Sequence, residues 1–130
     1  MTNTNRPIRR ALVSVFHKEG IEVLAEAFVK DGTEVVSTGS TAKKLAELGV
    51  KVTEVSDVTG FPECLDGRVK TLHPYIHAGI LADMTNPEHA KQLEEFGIKP
   101  FYLVVVNLYE FEKTVANPEV TFADAIEHID

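Results

Sequence analysis

Apolar residues recur with two different periods along the first part of this chain. The run from Arg10 to Phe16 is apolar almost throughout, which is typical of a strand covered on both faces. The spacing then changes to i, i+3, i+4 and i+7, the period of an amphipathic helix, and Gly32 follows as a left-handed cap. The residues with this helical spacing are Ile21, Leu24, Ala25 and Phe28. A strand followed by a helix is therefore predicted over residues 10–32.

The same alternation continues through the middle of the chain. Short strands are predicted over residues 33–37 and 51–55, with a helix between them that ends at Gly49. Asn86, followed by Pro and Glu, begins another helix, which ends at Gly97. The apolar sides of these two helices are predicted to contain Ala42, Leu45, Ala46, Leu48, Ala90, Leu93 and Phe96.

The last third of the chain contains the strongest strand signal. The run from Phe101 to Val106 is β-branched and aromatic, as is typical of a central parallel strand. A second Asn-Pro-Glu triplet, at residues 117–119, precedes a last helix that we expect Thr121 to cap. Residues 1–9 are interpreted as a flexible leader and residues 10–130 as one domain.

Strands that alternate with helices predict an α/β domain with a mostly parallel sheet flanked by helices. Ligands of such sheets bind outside the carboxyl ends of the strands. Three strand ends carry polar residues here, at 16–18, 37–41 and 107–109. We expect these three segments to reach one crevice.

The stretch from Thr59 to His77 has neither strand alternation nor helical spacing, but it is rich in donors. Two glycines and two prolines prescribe an irregular path, which suits a binding loop. A guanidinium and an ammonium two residues apart could meet one anionic ligand together if the segment is extended. The alternative is a solvated loop whose cations pair with Glu63 and Asp66. The donor residues are Arg68, Lys70, Thr71, His73 and His77.

The segment Ser37-Thr-Gly-Ser-Thr41 lies at a predicted junction between a strand and a helix. Backbone N–H groups and hydroxyls at the positive end of a helix dipole suit a phosphate. It is not a P-loop, because the Gly-Lys-Ser/Thr ending is absent. The alternative interpretation is that Ser40 or Thr41 simply caps the helix.

The amino-acid composition argues against several classes of binding partner. Thirteen Lys plus Arg against 20 Asp plus Glu give a net charge of −7, which argues against nucleic acid and anionic membranes as partners. The single Cys64 cannot form an internal disulfide, and no apolar run is long enough for a membrane helix, so a cytoplasmic protein is predicted. His73 and His77 have the spacing of metal ligands, but Pro74 between them and the lack of a third ligand favour no metal site.

Several motifs in one order carry a family resemblance. They are Ser-Thr-Gly-Ser-Thr-Ala-Lys from Ser37, Thr-Gly-Phe-Pro-Glu from Thr59, Asp-Gly-Arg-Val-Lys-Thr-Leu-His-Pro from Asp66, His-Ala-Gly-Ile-Leu from His77 and Val-Asn-Leu-Tyr from Val106. From about residue 10 to its end, the chain resembles the N-terminal IMP cyclohydrolase domain of the bifunctional AICAR transformylase/IMP cyclohydrolases. The resemblance implies a methylglyoxal-synthase-like three-layer sandwich.

The resemblance also implies the last step of purine nucleotide synthesis, which closes the second ring of a formylated aminoimidazole carboxamide ribonucleotide to give IMP and water. It implies no cofactor, no metal, a purine mononucleotide as substrate and a homodimer. The implied catalytic residues are Lys70, Tyr109 and Asp130. The residues implied to hold the nucleotide are Lys18, Thr38, Gly39, Ser40, Thr41, Arg68, Thr71 and Asn107.

The chain departs from this family at three places. Phe16-His17-Lys18 stands where Ser-Asp-Lys is usual, Glu110 replaces a proline after Tyr109, and the Ile-Asp-Ile-Gly-Gly motif stops at Asp130. We therefore expect weak or no cyclohydrolase activity from this chain by itself. The alternative function is a regulatory module of the same fold that binds phosphorylated ligands without catalysis, and a methylglyoxal synthase is a third possibility.

Overall fold

The protein is described from a computed structural model that covers residues 7–15, 17–62, 70–107 and 116–122. Four strands and five helices lie in these ranges. The strands are β1 (Arg10–Ser14), β2 (Glu34–Ser37), β3 (Val52–Glu54) and β4 (Leu103–Val106). The helices are α1 (Ile21–Asp31), α2 (Gly39–Glu47), α3 (Val55–Thr59), α4 (Pro74–Leu81) and α5 (Pro87–Phe96).

The four strands form one parallel sheet in the order β3-β2-β1-β4. In the register of this sheet, Leu12 of β1 lies opposite Val36 of β2 and Val104 of β4. The chain moves outward from β1 through β2 to β3 and then returns to the other side of β1 to form β4. The direction of winding therefore reverses between β1 and β4, which is the position where such sheets bind ligands.

Alternate residues of the central strands enter two separate cores. On one face, Ala11 and Val13 of β1 pack with Phe28 of α1 and Leu45 of α2. On the other face, the buried residues come from β1, β2, α3 and α4, and they are Leu12, Val36, Val55 and Ile76. Burial on both faces explains why the strand sequences are continuously apolar, and it confirms the predicted α/β architecture with helices on both sides of the sheet.

Caps end α1 and α5 where the sequence predicts, whereas α2 ends at Glu47 with Leu48 as its C-cap, one residue before the predicted Gly49. Gly32 after α1 and Gly97 after α5 have φ of 66° and 69°, and both amides donate to carbonyls of the preceding turn. At the start of α5, the Asn86 side chain accepts a hydrogen bond of 2.9 Å from the Glu88 amide, and Pro87 is the first helical residue. These boundaries follow from local chemistry, because the cap bonds involve only near neighbours in sequence.

The interpretation of residues 59–77 as wholly irregular is wrong at its end. Helix α4 begins at Pro74, and His77 lies inside it. A proline at the first helical position has no N–H to lose, so Pro74 starts this helix instead of interrupting it. His73 is the N-cap, with extended backbone, so it does not share a helical face with His77. The extension of the third strand to Val55 is also wrong, because Val55 begins α3.

Two further predictions differ from the structure. Among the described residues β4 is the outer neighbour of β1 and not a central strand, and its Val104 and Val106 are exposed. Phe96 is 63% exposed, so the apolar side of α5 is mainly Leu93. The Asn117 side chain accepts from the Glu119 amide as Asn86 does from Glu88, but a turn follows it. The predicted last helix with Thr121 as cap falls mostly outside the described residues.

Candidate functional site at the carboxyl edge

The loops that follow β1, β2 and β4 meet at the position where the winding reverses. This region is called the carboxyl edge below, and it is defined by Lys18, Thr38 to Thr41 and Asn107. It contains the predicted nucleotide-binding residues Thr38 to Thr41 in full, and parts of the segments at residues 16–18 and 107–109. Lys18, Thr41 and Asn107 of these segments all bond to the loop after β1, as described below.

The loop after β2 turns sharply into α2. Thr38 is the N-cap residue and makes no side-chain cap bond, and Gly39 has a φ of 50°, which glycine adopts without the penalty of a Cβ atom. Thr38 and Thr41 are buried, whereas Gly39 and Ser40 are exposed. The interpretation of Ser40 or Thr41 as the cap of α2 is therefore wrong. The first turn of α2 carries N–H groups without partners inside the helix, which is the property that suits an anion.

Thr41 connects α2 to the loop after β1. Its hydroxyl donates to the Val15 carbonyl at 3.0 Å and accepts from the Val15 amide at 3.3 Å. The Lys18 ammonium donates to the same Val15 carbonyl at 3.0 Å. The positive charge of Lys18 and the first turn of α2 therefore lie side by side at one main-chain oxygen.

Asn107 holds the same loop from the opposite side. Its side-chain oxygen accepts from the His17 amide at 3.1 Å, and its side-chain nitrogen donates to the His17 carbonyl at 2.8 Å. The last paired residues of β1 and β4 are Ser14 and Val106. The Asn107 amide continues the pairing of the two strands beyond these residues, because it offers the same donor and acceptor as a peptide unit.

Lys70 and Thr71 belong to a separate segment directly before α4, and both are half-buried. The Thr71 carbonyl accepts from the His73 amide at 2.8 Å, and the His73 Nδ1 atom accepts from the Tyr75 amide at 3.1 Å. The His73 ring also lies edge-on to the Tyr75 ring, with 4.9 Å between centroids. The imidazole therefore fixes the turn that follows Lys70, and this role accounts for one of the clustered histidines.

Several predicted residues lie outside the described parts of the chain. They are the catalytic candidates Tyr109 and Asp130, the binding candidate Arg68, the departures Phe16 and Glu110, and Cys64. The residue that the sequence interpretation missed is Val15, whose main-chain N–H and carbonyl receive Thr41 and Lys18. No sequence signal could have identified it, because main-chain atoms are the same at every position.

Polar side chains also gather at the opposite end of the sheet, called the amino edge below and defined by Arg10, Thr33, Glu34 and Lys99. The Arg10 guanidinium donates to the Lys99 carbonyl at 2.7 Å and lies 4.4 Å from the centre of the Phe101 ring. Its Nε atom faces Glu34 at 3.6 Å. Burial lowers the pKa of Arg10, and Glu34 opposes that shift. A cavity of about 210 Å³ lies beside this group.

In the ranges that the structure covers, no three His, Cys, Asp or Glu side chains are grouped so that they could hold a metal ion. No helix in these ranges has the length and apolar character needed to cross a membrane.

The fold and the polar residues at the carboxyl edge define a parallel α/β domain with a candidate ligand site where the winding reverses. The family of MGS-like domains matches residues 20–130, and the chain belongs to it. The match confirms the fold class that the sequence resemblance implies.

The chain is also similar to full-length proteins of one kind, the bifunctional purine biosynthesis protein PurH. It is 62% identical to PurH of Halalkalibacterium halodurans over 94% of this chain and 24% of that protein. It is 55% identical to PurH of Corynebacterium glutamicum over the whole chain and 25% of that protein. The chain thus spans about a quarter of the length of these relatives.

A solved structure supports the same relation. The protein described as "Crystal structure of ForH" superimposes with a TM-score of 0.69 and 35% sequence identity, over 78% of this chain and 51% of that one. Together with the PurH relatives, this similarity confirms the family resemblance that the sequence motifs indicate.

Proposed function

We propose that this chain is an IMP cyclohydrolase domain, which closes the purine ring of 5-formamidoimidazole-4-carboxamide ribonucleotide. The observation that carries the proposal is the meeting of Lys18, the first turn of α2 and Asn107 at the carboxyl edge. An ammonium beside the first turn of a helix provides the positive field that a 5'-phosphate needs. The resemblance of the sequence motifs to IMP cyclohydrolase domains supplies the choice of nucleotide, and the similarity to a purine biosynthesis protein supports it.

The reaction needs groups that move protons, because the ring closes without a change of oxidation state. The carboxamide nitrogen attacks the formyl carbon and forms a C–N bond, while a proton reaches the formyl oxygen. The C–O bond then breaks, and the proton of the former formamido nitrogen leaves with the hydroxyl group as water, so that the new C=N bond forms to that nitrogen. A donor near the developing oxyanion lowers the barrier to the first step.

The proposed roles follow the matching motifs. Lys70 and Tyr109 act as the catalytic donor and proton-transfer groups, while Asp130 orients or deprotonates the reacting carboxamide. Lys18 and residues 38–41 hold the phosphate, and the other predicted residues, Arg68, Thr71 and Asn107, orient the remainder of the nucleotide. A homodimer and a cytoplasmic location complete the proposal.

Calorimetric titration with IMP tests this proposal. We expect the chain to bind IMP, and Lys70→Ala to weaken binding by about tenfold through the loss of a charged hydrogen bond. Lys91→Ala is the matched control, because Lys91 is an exposed lysine on α5. Equal affinity of the Lys70 and Lys91 variants would contradict the placement of the nucleotide.

Turnover of the formylated ribonucleotide separates the cyclohydrolase from the regulatory module. Formation of IMP can be followed by chromatography, with full-length PurH of Halalkalibacterium halodurans as the positive control. Binding with turnover supports the enzyme, whereas binding without turnover supports the module. Failure to bind IMP would remove the cyclohydrolase assignment and leave only a module for a different phosphorylated ligand.

A further inference from the structure

We infer that Thr41 and Asn107 act on the carboxyl edge as positioning residues, through the main chain of the loop after β1, and that this bond to the loop is their principal role. The inference rests on the proposed function, because it concerns how the proposed phosphate site is held in shape. It changes the roles that the family resemblance implies for both residues.

The first argument is the way in which the Thr41 hydroxyl is used. A hydroxyl has one proton, and that proton is donated to the Val15 carbonyl at 3.0 Å. The Val15 amide donates back to the same oxygen at 3.3 Å. Thr41 is 4% exposed, so little of its surface is left for a ligand. The hydroxyl thus fixes Val15 and has no second proton for a phosphate oxygen.

The second argument is the geometry of Asn107. Both polar atoms of its side chain bond to His17, in the two directions that a strand neighbour would use. The pairing of β1 with β4 ends at Ser14, so His17 would otherwise lie beyond the support of the sheet. Asn107 thereby holds the loop at the point where the chain leaves β1 for Lys18.

These two clamps act on the same short segment from its two sides. Thr41 lies in the first turn of α2, which follows β2, and Asn107 directly follows β4. In the sheet, β1 lies between β2 and β4. Lys18 closes the segment by its own bond to the Val15 carbonyl. The Lys18 ammonium is therefore fixed in position only while Thr41 holds Val15 and Asn107 holds His17. A preformed loop avoids the entropy that ordering it on binding would require.

A double-mutant cycle on the whole 130-residue chain tests this coupling, with IMP titrated by calorimetry. Thr41→Val removes the hydroxyl with little change of shape, and Lys18→Ala removes the charge that the loop presents. We expect each variant to weaken binding by about tenfold, and the double variant to bind within about threefold of Lys18→Ala. Thr41→Ser should restore most of the affinity, because it keeps the hydroxyl. Losses that multiply in the double variant would indicate direct contact and overturn the inference.

Thr33→Val is the matched control, because Thr33 is equally buried and its hydroxyl also donates to a main-chain carbonyl, that of Ile8 at 2.7 Å. It lies at the amino edge, so its loss should lower stability and leave IMP affinity unchanged. An equal loss of affinity in Thr33→Val and Thr41→Val would show a general effect of destabilisation and would overturn the inference.

Hydrogen exchange in the chain without nucleotide gives an independent reading. The Val15 amide should exchange faster in Thr41→Val, and the His17 amide faster in Asn107→Ala, with neither changed in Thr33→Val. Unchanged exchange of both amides would overturn the inference even if IMP binds normally. If the wild-type chain binds no IMP, the proposed function fails, and the same cycle read with inorganic phosphate decides the inference together with the exchange rates.

Discussion

Side chains form hydrogen bonds to the main chain at both edges of the sheet, but these bonds have different consequences at the two edges. At the amino edge, Arg10 and Thr33 donate to main-chain carbonyls, and both residues are buried. At the carboxyl edge, Thr41 and Asn107 also bond to the main chain, but Asn107 is exposed and the bonds fix a loop. The two edges differ in what the bonds hold. At the amino edge they belong to buried side chains, whereas at the carboxyl edge they hold a loop at the surface.

This difference separates stability from binding. A substitution that removes a buried donor leaves its carbonyl partner desolvated and without a hydrogen bond. Changes at the amino edge should therefore lower the free energy of unfolding. A loop at the protein surface contributes little to global stability, so changes at the carboxyl edge should alter ligand affinity first. The predictions below test whether the two effects divide in this way.

Arg10→Met should have the largest effect on stability. It removes the bond to the Lys99 carbonyl and the contact with the Phe101 ring, and we expect a loss of about 2–4 kcal/mol. Urea denaturation measures it, and Arg9→Met is the control because Arg9 is exposed. Equal midpoints for the two variants would show that the amino edge is not a centre of stability.

Gly79→Ala should lower stability by about 1–3 kcal/mol, because an added Cβ atom would lie 2.9 Å from the Lys99 carbonyl oxygen and 3.0 Å from the Phe101 ring. The Phe101 amide also donates to the Gly79 carbonyl at 2.9 Å, so α4 cannot move away without losing that bond. Thermal unfolding measures the change. The variant Gly79→Ala combined with Phe101→Leu should recover only part of it, since the Lys99 oxygen remains.

Asn107→Ala should change the free energy of unfolding by less than about 1 kcal/mol, although it removes two hydrogen bonds, because the side chain is exposed and water replaces its partners. Its effect on IMP affinity should be several-fold. Urea denaturation and calorimetry on the same preparation compare the two quantities. A large loss of stability with normal affinity would reverse the assignment of the two edges.

The substitution Asp83→Asn, between α4 and α5, should have the smallest effect on stability. Hydrogen bonds from the Thr85 hydroxyl and then from its amide lower the pKa of the Asp83 carboxyl. A lowered pKa in the folded state means that the unfolded chain binds more protons, so this contribution is present above the ordinary pKa and is lost as pH falls through the folded value. Stability curves of wild type and Asp83→Asn should therefore converge in acid. Curves that stay parallel below pH about 4 would contradict this.

Most elements could be predicted from the sequence because their causes are local. Gly32 and Asn86 mark helix ends through bonds to near neighbours, and the apolar period identifies α1 without any tertiary information. The start of α4 was missed because Pro74 counts as an argument against a regular helix, whereas the turn made by His73 places this proline at the first helical position. The place of β4 beside β1 could not be deduced, since strand order depends on how the chain returns across the sheet.

The candidate site divides in a similar way. The segments with the right residue types were identifiable, because hydroxyls, an ammonium and glycine at strand ends indicate an anion site. The partners of those side chains were not, because Thr41 meets Val15 and Asn107 meets His17 across 26 and 90 residues of sequence.

By itself, the sequence determined the four strands, the helices α1, α2 and α5, the caps of α1 and α5 and the chemistry of the strand-end segments, because periodicity and capping act over a few residues. Only the tertiary structure decided which strand lies beside which. That order places β1 between β2 and β4, and it brings Thr41 and Asn107 to the two sides of one loop. The bonds they make are to main-chain atoms, which carry no sequence signal and become partners only when the sheet is assembled.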